Sequence, residues 1–443
     1  MNDGLMILLI IMKNNYLPQA LVKTIKYSLH SQTIRDSFLV FSGNFCSKLI
    51  LAIGSIFLIR ILTPEEYGIF STSQAVMFFF SGVFFSGLNL GLIRFASKYF
   101  KTDSENAWKL LKKIFQIELF YGLIFLIIGI FFANSISELI FNKPNLGYYF
   151  KLAFFGSFWF MIFQYFQSFF KARLNFLNLS ILNILRAISF FLGLLISYLL
   201  LTGFDVKIAL LVMIFSYFFA VSAGVIFTYK KLFHINSSGE YNLNTFFHYC
   251  KWLILSSIFI WFFSRLDIFM LTRLQEMEVV GIYGVAFKLY SLILLFLTSI
   301  NSVLLPKISR KDDLKYLRSF IPRSLKYTLI LSFLLMPLLL FSKPILIYIV
   351  GEDYSGSIIL FQLFIMGALI SLNLNPITNI IYVINKTKLL AITNFIQLTA
   401  NFLGNLYMIP LYGALGATIV TILTHMLGNI LLVLFILYYF KSH

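Results

Sequence analysis

Acidic residues are scarce in this chain. Asp and Glu number 17 against 35 Lys and Arg over 443 residues, and charged residues of every kind make up 12%. A soluble domain carries about 25% charged and ~45–50% apolar residues; here 60% are hydrophobic. That surplus of apolar surface excludes an ordinary water-soluble core. Cysteine is limited to Cys46 and Cys250, too few for a disulfide framework or a thiolate metal site. The five histidines are scattered. No nucleophile–base set, metal-ligand spacing or glycine-rich phosphate loop appears. The loops are too short for a nucleotide-binding domain. An enzyme, a metal site and a primary pump are therefore not expected. The alternating runs of ~10 residues that mark a transmembrane β-barrel are missing as well.

What the chain does have is long apolar runs. Windows of ~20 residues give twelve candidate spans. Six are Leu39–Leu62, Tyr67–Ile93, Ile114–Phe132, Tyr149–Phe170, Leu179–Leu201 and Ile208–Tyr229. Six more are Trp252–Leu274, Val279–Leu305, Ser324–Phe341, Ile358–Ile384, Leu389–Ile409 and Ala414–Tyr438. Pro337 and Pro376 fall inside spans, where each is expected to kink its helix. The apolar run Leu5–Met12 is too short to cross and reads as part of a cytoplasmic arm or an upstream start. The expected fold is an all-α polytopic membrane protein of about twelve helices.

Most loop cations fall on one set of loops, above all 94–113 and 307–326. This asymmetry predicts that those loops and both termini are cytoplasmic. Most of the net charge of +18 is then loop charge, with no nucleic-acid partner implied.

An internal offset of 213 residues aligns Arg60 with Arg273, Glu65 with Glu278, Gly68 with Gly281 and Arg94 with Lys307. Six spans per half is an even number, so both halves insert alike, as a parallel repeat. The expected organisation is an N-terminal arm (1–38), an N-lobe (39–230), a linker (231–251) and a C-lobe (252–443) around a central cavity. In each half a short outer turn, "TPEEYG" in the first, joins two long helices. A carboxylate of Glu65 or Glu66 suits a helix N-terminus. Gly68 and Gly281 permit close helix approach. The arginine either snorkels to the interface or pairs with the carboxylates.

"RILTPEEYGIF" (Arg60–Phe70) resembles the first outer hairpin of polysaccharide biosynthesis proteins. These are the O-antigen-type flippases of the multidrug/oligosaccharidyl-lipid/polysaccharide (MOP) exporter superfamily. "RLDIFMLTRLQEMEVVGIYGVAFKLY" (Arg265–Tyr290), "LLPKISR" (Leu304–Arg310) and "IPLYGALGATIVTIL" (Ile409–Leu423) resemble the matching elements of the second half. The resemblance implies a MATE-like transporter of two six-helix lobes. It also implies export of undecaprenyl-diphosphate-linked oligosaccharide from the inner to the outer leaflet of the bacterial inner membrane. O-antigen, capsule or exopolysaccharide synthesis would be the pathway, with a polymerase among the partners. A drug or small-cation exporter of the same fold and a peptidoglycan lipid-precursor flippase are the alternatives. A membrane glycosyltransferase would need a larger catalytic loop.

Ionisable side chains inside spans are functional candidates because their desolvation is costly. Lys48, Arg265 and Lys288 are candidates for a cavity that attracts a diphosphate headgroup. First, seventh and eighth helices lining a cleft is also what the resemblance implies. Asp267 is a candidate counter-ion or proton site. Arg265 and Asp267 are two residues apart and so point to different sides of one helix. Arg186 lies in the fifth span; Glu118 lies one turn inside the third, where it could snorkel. Sugars need amides: Asn44, Asn394, Gln397 and Asn401 are candidate contacts, the last three on a stripe that continues to Asn405 and would serve equally as helix packing. Gln164 and Gln167 offer amides on the fourth span. No cofactor is expected beyond a coupling ion, proton or sodium, or the membrane potential.

Overall fold

In a computed structural model the chain is described over residues 32–232, 243–309, 314–384 and 386–442. Among these residues there is no strand. The helices are α1 Gln32–Ile61, α2 Pro64–Thr102, α3 Ser104–Ser135, α4 Gly147–Ala172, α5 Phe176–Leu200 and α6 Val206–Leu232. Then come α7 Asn244–Leu274, α8 Met277–Ser309, α9 Leu314–Leu335 and α10 Ser357–Thr378. The run Thr387–Ser442 bends at Gly413, whose φ of 55° lies in the left-handed region. Its arms are α11 (387–412) and α12 (414–442).

Eleven of the described helices are long and apolar enough to cross a membrane. The last of them has 55 residues, about 80 Å at 1.5 Å per residue, far beyond a hydrocarbon core of ~30 Å. It must cross twice, once on each side of Gly413, so twelve crossings result. The helical solution is forced. Lipid offers no hydrogen-bond partner, so each span must satisfy its own backbone.

The helix ends show the local chemistry. Thr63 caps α2: its side chain accepts from the Glu66 N–H, and Glu66 Oε2 accepts from the Thr63 N–H at 2.9 Å. Pro64 occupies the first turn, where its missing N–H costs nothing. Asp103 caps α3 and Asn175 caps α5 in the same manner. Pro337 does more than kink its span. It ends α9 at Leu335, and the chain continues as short helices Pro337–Leu340 and Ser342–Val350. Pro376 stays within α10, two residues from its end.

Two segments differ from the expected boundaries. Of the arm 1–38, residues 32–38 already belong to α1, and the rest lies outside the described residues. Of the linker 231–251, α6 takes the first two residues and α7 takes everything from Asn244, while 233–242 lie outside the described residues.

In the N-terminal half, α4 packs between α2, α3 and α6, and α1 lies along α5. The core there is aromatic: Phe150, Phe154, Tyr165, Phe166, Phe169 and Phe170 are fully buried. In the C-terminal half, α10 packs on α8, α9 and the α11–α12 run, and α7 lies on that run. The halves meet where α2 packs against α7 and α8.

That junction is tightest on the face carrying the α1–α2 and α7–α8 turns, the hairpin face. A Cβ at Gly68 would strike the Met277 carbonyl of α8, and a Cβ at Gly281 would strike the Pro64 carbonyl of α2. Arg60 donates from Nε to the Ile349 carbonyl at 2.9 Å, and from its Nη2 to the Tyr348 carbonyl. Arg273 donates to the Leu139 carbonyl at 3.1 Å and to the Ile140 carbonyl. The two arginines are repeat equivalents, and each reaches carbonyls at the end of a helical segment in the opposite half. This corrects the expectation that the arginine pairs with the hairpin carboxylates, since Glu66 is engaged in its own cap. Thr72 and Thr272 join α2 to α7 at 2.9 Å, and Tyr354 donates to the Leu62 carbonyl at 2.8 Å. The hairpin face is closed.

Candidate functional site: a cation cluster at mid-membrane

Three cations from three helices meet midway across the bundle. Arg265 on α7 lies nine residues from the hairpin end of its helix and Lys288 on α8 eleven, about 14 and 17 Å deep at 1.5 Å per residue. Arg186 on α5 lies 14 residues from that end, about 21 Å deep. Lys288 is within electrostatic reach of both arginines. Tyr217 of α6 sits among them, in reach of both arginines and under the Arg186 guanidinium at 4.4 Å. Phe163 of α4 lies 5.9 Å from the same guanidinium. Arg265 lies 5.5 Å from the Phe78 ring of α2 and 5.9 Å from Trp261. The cluster therefore spans both halves.

The three cations are poorly matched inside the protein. None forms an ion pair with a described carboxylate, and the Nε atoms of Arg186 and Arg265 are buried without a hydrogen-bond partner. Aromatic faces supply only cation–π attraction, about 2 kcal/mol when desolvated. Three like charges at this depth also repel. The arrangement is that of a receptor for a compact multivalent anion.

Asp267 belongs to a different site. As its offset from Arg265 requires, it turns to the other side of α7. Tyr283 of α8 and Thr421 of α12 donate to Oδ2 at 3.0 and 2.6 Å, and Asn405 of α11 donates to Oδ1 at 2.6 Å. Asn405 also donates to Asn401 Oδ1 at 3.0 Å, while its own Oδ1 is buried without a partner. His425 lies within electrostatic reach, one turn beyond Thr421 on α12. The partners that hold Asp267 are neutral, and His425 is an ionisable group in its reach. Asp267 is held by two hydroxyls and an amide and forms no ion pair with a described cation.

The remaining candidates divide. Asn401 sits in the Asp267 cage, and Gln397 donates to the Thr424 carbonyl at 3.0 Å, tying α11 to α12. Both amides make contacts inside the bundle that pack α11 on its neighbours. Asn394 is exposed. Asn44 accepts from Asn183 of α5 at 3.2 Å, and Asn183 accepts from Gln167 of α4 at 2.7 Å. This amide seam joins three helices, and Asn183 lies one turn from Arg186. Lys48, one turn beyond Asn44, is exposed. Glu118 does not snorkel; it is 1% exposed.

Sequence reasoning missed Tyr217 and Asn183 in the cation site, and Thr421 and His425 in the Asp267 cage. Arg186 is legible as an intramembrane ion, but its sequence position does not join it to the cluster. Polar residues inside apolar runs were the available signal, but their partners lie on other helices.

The fold defines the class. The chain has the two-bundle architecture of the MOP superfamily transporters and is a multi-pass membrane protein. It superposes on the solved structure titled lipid II flippase MurJ, inward closed conformation, with a TM-score of 0.67 and 18% identity over 90% of this chain and 87% of that one. An inward-facing multidrug resistance MATE family transporter matches with a TM-score of 0.67 and 14% identity, covering 89% and 95%. At the level of sequence, the family described as polysaccharide biosynthesis protein matches residues 33–311, and the chain belongs to it. A curated relative, the probable low-salt glycan biosynthesis flippase Agl15 of Haloferax volcanii, is 24% identical over 196 residues. That match takes in 43% of this chain and 41% of the relative, less than half the length of either.

Proposed function

We propose that this chain is a flippase that carries a lipid-linked oligosaccharide across the bacterial inner membrane by alternating access, with both termini cytoplasmic. The cargo anchor is a diphosphate, as in undecaprenyl-diphosphate-linked repeat units for O-antigen, capsule or exopolysaccharide. The observation that carries this reading is the cluster Arg186, Arg265 and Lys288, three half-buried cations that no described carboxylate neutralises. A diphosphate supplies the missing charge and acceptor oxygens together. The amide seam Asn44–Asn183–Gln167 is placed to meet sugar hydroxyls beside it. The Asp267 cage presents hard oxygens and a carboxylate, which suit a coupling proton or sodium ion.

The test is transport in proteoliposomes. Arg186→Gln, Arg265→Gln and Lys288→Gln should each slow translocation of a prenyl-diphosphate oligosaccharide at least tenfold while the protein remains folded. Undiminished flux in all three would remove the anion receptor. Efflux of a cationic dye that survives these changes and depends on Asp267 would favour the drug-exporter reading instead.

A further inference from the structure

One buried acid has no part in the cargo site or the Asp267 cage. Glu118 on α3 is 1% exposed, and both its carboxyl oxygens are sealed from solvent and accept no hydrogen bond. Across the seam on α2, Asn89 is 5% exposed, and its Oδ1 and Nδ2 are equally bare. The antiparallel register of α2 and α3 is fixed by Phe84 on Phe125 (4.3 Å) and Phe100 on Trp108 (5.5 Å). In that register Asn89 stands at the level of Glu118. On α3, Glu118 is flanked by Phe115, which meets Tyr165 of α4, and by Gly122, which meets Met161 of α4. The bare carboxyl therefore lies in the seam of α3 and α4, in the N-terminal half, with Asn89 of α2 at its level.

Among the described residues no charged group pairs with Glu118. On α4 the group in electrostatic reach is Tyr165, whose hydroxyl is committed to the Leu111 carbonyl at 2.8 Å. On α2 the nearest charge is Arg94, about one turn away in that register and stacked on Tyr249 of α7 at 4.3 Å. On α3 the nearest are Lys112 and Lys113, also more than a turn away, and α6 carries no charge between Lys207 and Tyr229. Glu118 forms no ion pair with a described residue. An ionised carboxylate in such a place would cost more than a protein's whole net stability. A carboxylic acid there needs only a few weak dipoles.

We propose that Glu118 and Asn89 form a proton-binding site in the N-terminal half, distinct from the cation cluster and from the Asp267 cage. The carboxyl holds a proton while the α2–α3–α4 seam is shut and exchanges it with water when α2 moves. The element is suited to this, because α2 is the helix of the N-terminal half that packs on α7 and α8 and carries Phe78 beneath Arg265. The inference does not depend on the cargo.

Infrared spectroscopy of the full chain in bilayers tests it. Wild-type protein at neutral pH should show a carbonyl stretch of a protonated carboxylic acid that is absent in Glu118→Gln, and Asn89→Leu should shift it. The band's deuterium exchange should slow about tenfold when α2 is pinned to α7 by a disulfide in Thr72→Cys/Thr272→Cys, and recover on reduction. Absence of the band in wild type, its removal by sodium at constant pH, or equal exchange in pinned and reduced protein would each overturn the proposal.

Discussion

Removal of both Arg60 and Arg273 should unlatch the hairpin face. Each arginine bridges from one half to two backbone carbonyls of the other. A hydrogen bond from a charged group is worth ~1.5–3 kcal/mol when buried. Both arginines are exposed, so solvent reduces this to about 1 kcal/mol apiece. The acceptors lie at helical segment ends, where a cation is favoured by ~0.3–1 kcal/mol, which is the same interaction seen from the acceptor's side. Arg60→Ala with Arg273→Ala should therefore cost the closed state about 2 kcal/mol, and 1.4 kcal/mol is tenfold, so the open population rises about 30-fold. Spin labels at exposed Glu65 and Glu352, in a Cys46→Ser/Cys250→Ser background, report the change by electron–electron resonance. The distance distribution should gain a longer component in the double variant, and each single variant should give part of it. Lysine at either position should rescue poorly, because it cannot fork to two carbonyls. An unchanged distribution in the double variant, with and without cargo, would refute the latch.

Other outcomes follow from the same geometry. Gly281→Val should disrupt closure more than either arginine change, since its side chain would enter the Pro64 carbonyl, and the same spin-label pair reads it. Asp267→Asn places an amide among three donors and leaves at least one of Tyr283, Thr421 and Asn405 unanswered. It should lower stability by about 2 kcal/mol, seen as a fall in thermal midpoint, and abolish ion dependence of flux. Asn183→Leu breaks both bonds of the amide seam; flux should fall most for cargo with a polar first sugar, while binding of a bare prenyl diphosphate changes less than threefold.

Most of the fold was legible in the sequence because its determinant is one-dimensional. A span must be apolar for its own length, and lipid enforces this locally. The repeat was legible for a related reason. Arg60 and Arg273, and Gly68 and Gly281, occupy equivalent turns where backbones touch, so the close approach is written into both halves. The site was only partly legible. Burial marks an intramembrane charge as costly but does not name its neighbour. Arg265 and Lys288 stand out on these grounds and do meet, and Arg186 of α5 joins them. Asp267 looked like a counter-ion because acids are rare here. Its actual partners are neutral residues on α8, α11 and α12, up to 154 positions away. No local pattern encodes that convergence. The stripe Gln397–Asn401–Asn405 was ambiguous between packing and cargo, and the decision rests on Thr424 and Asp267, which face it from other helices.

The contrast between the two ionic sites leads to one more expectation. At Asp267 the fold answers a buried charge with donors; at Arg186, Arg265 and Lys288 it leaves charge in place with little but π faces. An uncompensated charge at depth is a load on the resting protein, and stability is commonly given up at binding sites for this reason. Replacing Arg265 and Lys288 together by methionine, similar in length and free of charge, should remove the mutual repulsion and the desolvation. The thermal midpoint of the empty protein should rise, while cargo translocation falls to the liposome background. Added prenyl diphosphate should raise the midpoint of wild type and leave that of the variant where it was. A variant less stable than wild type would mean that the cations hold the lobes together, and the cluster would then be a structural element and not a waiting receptor.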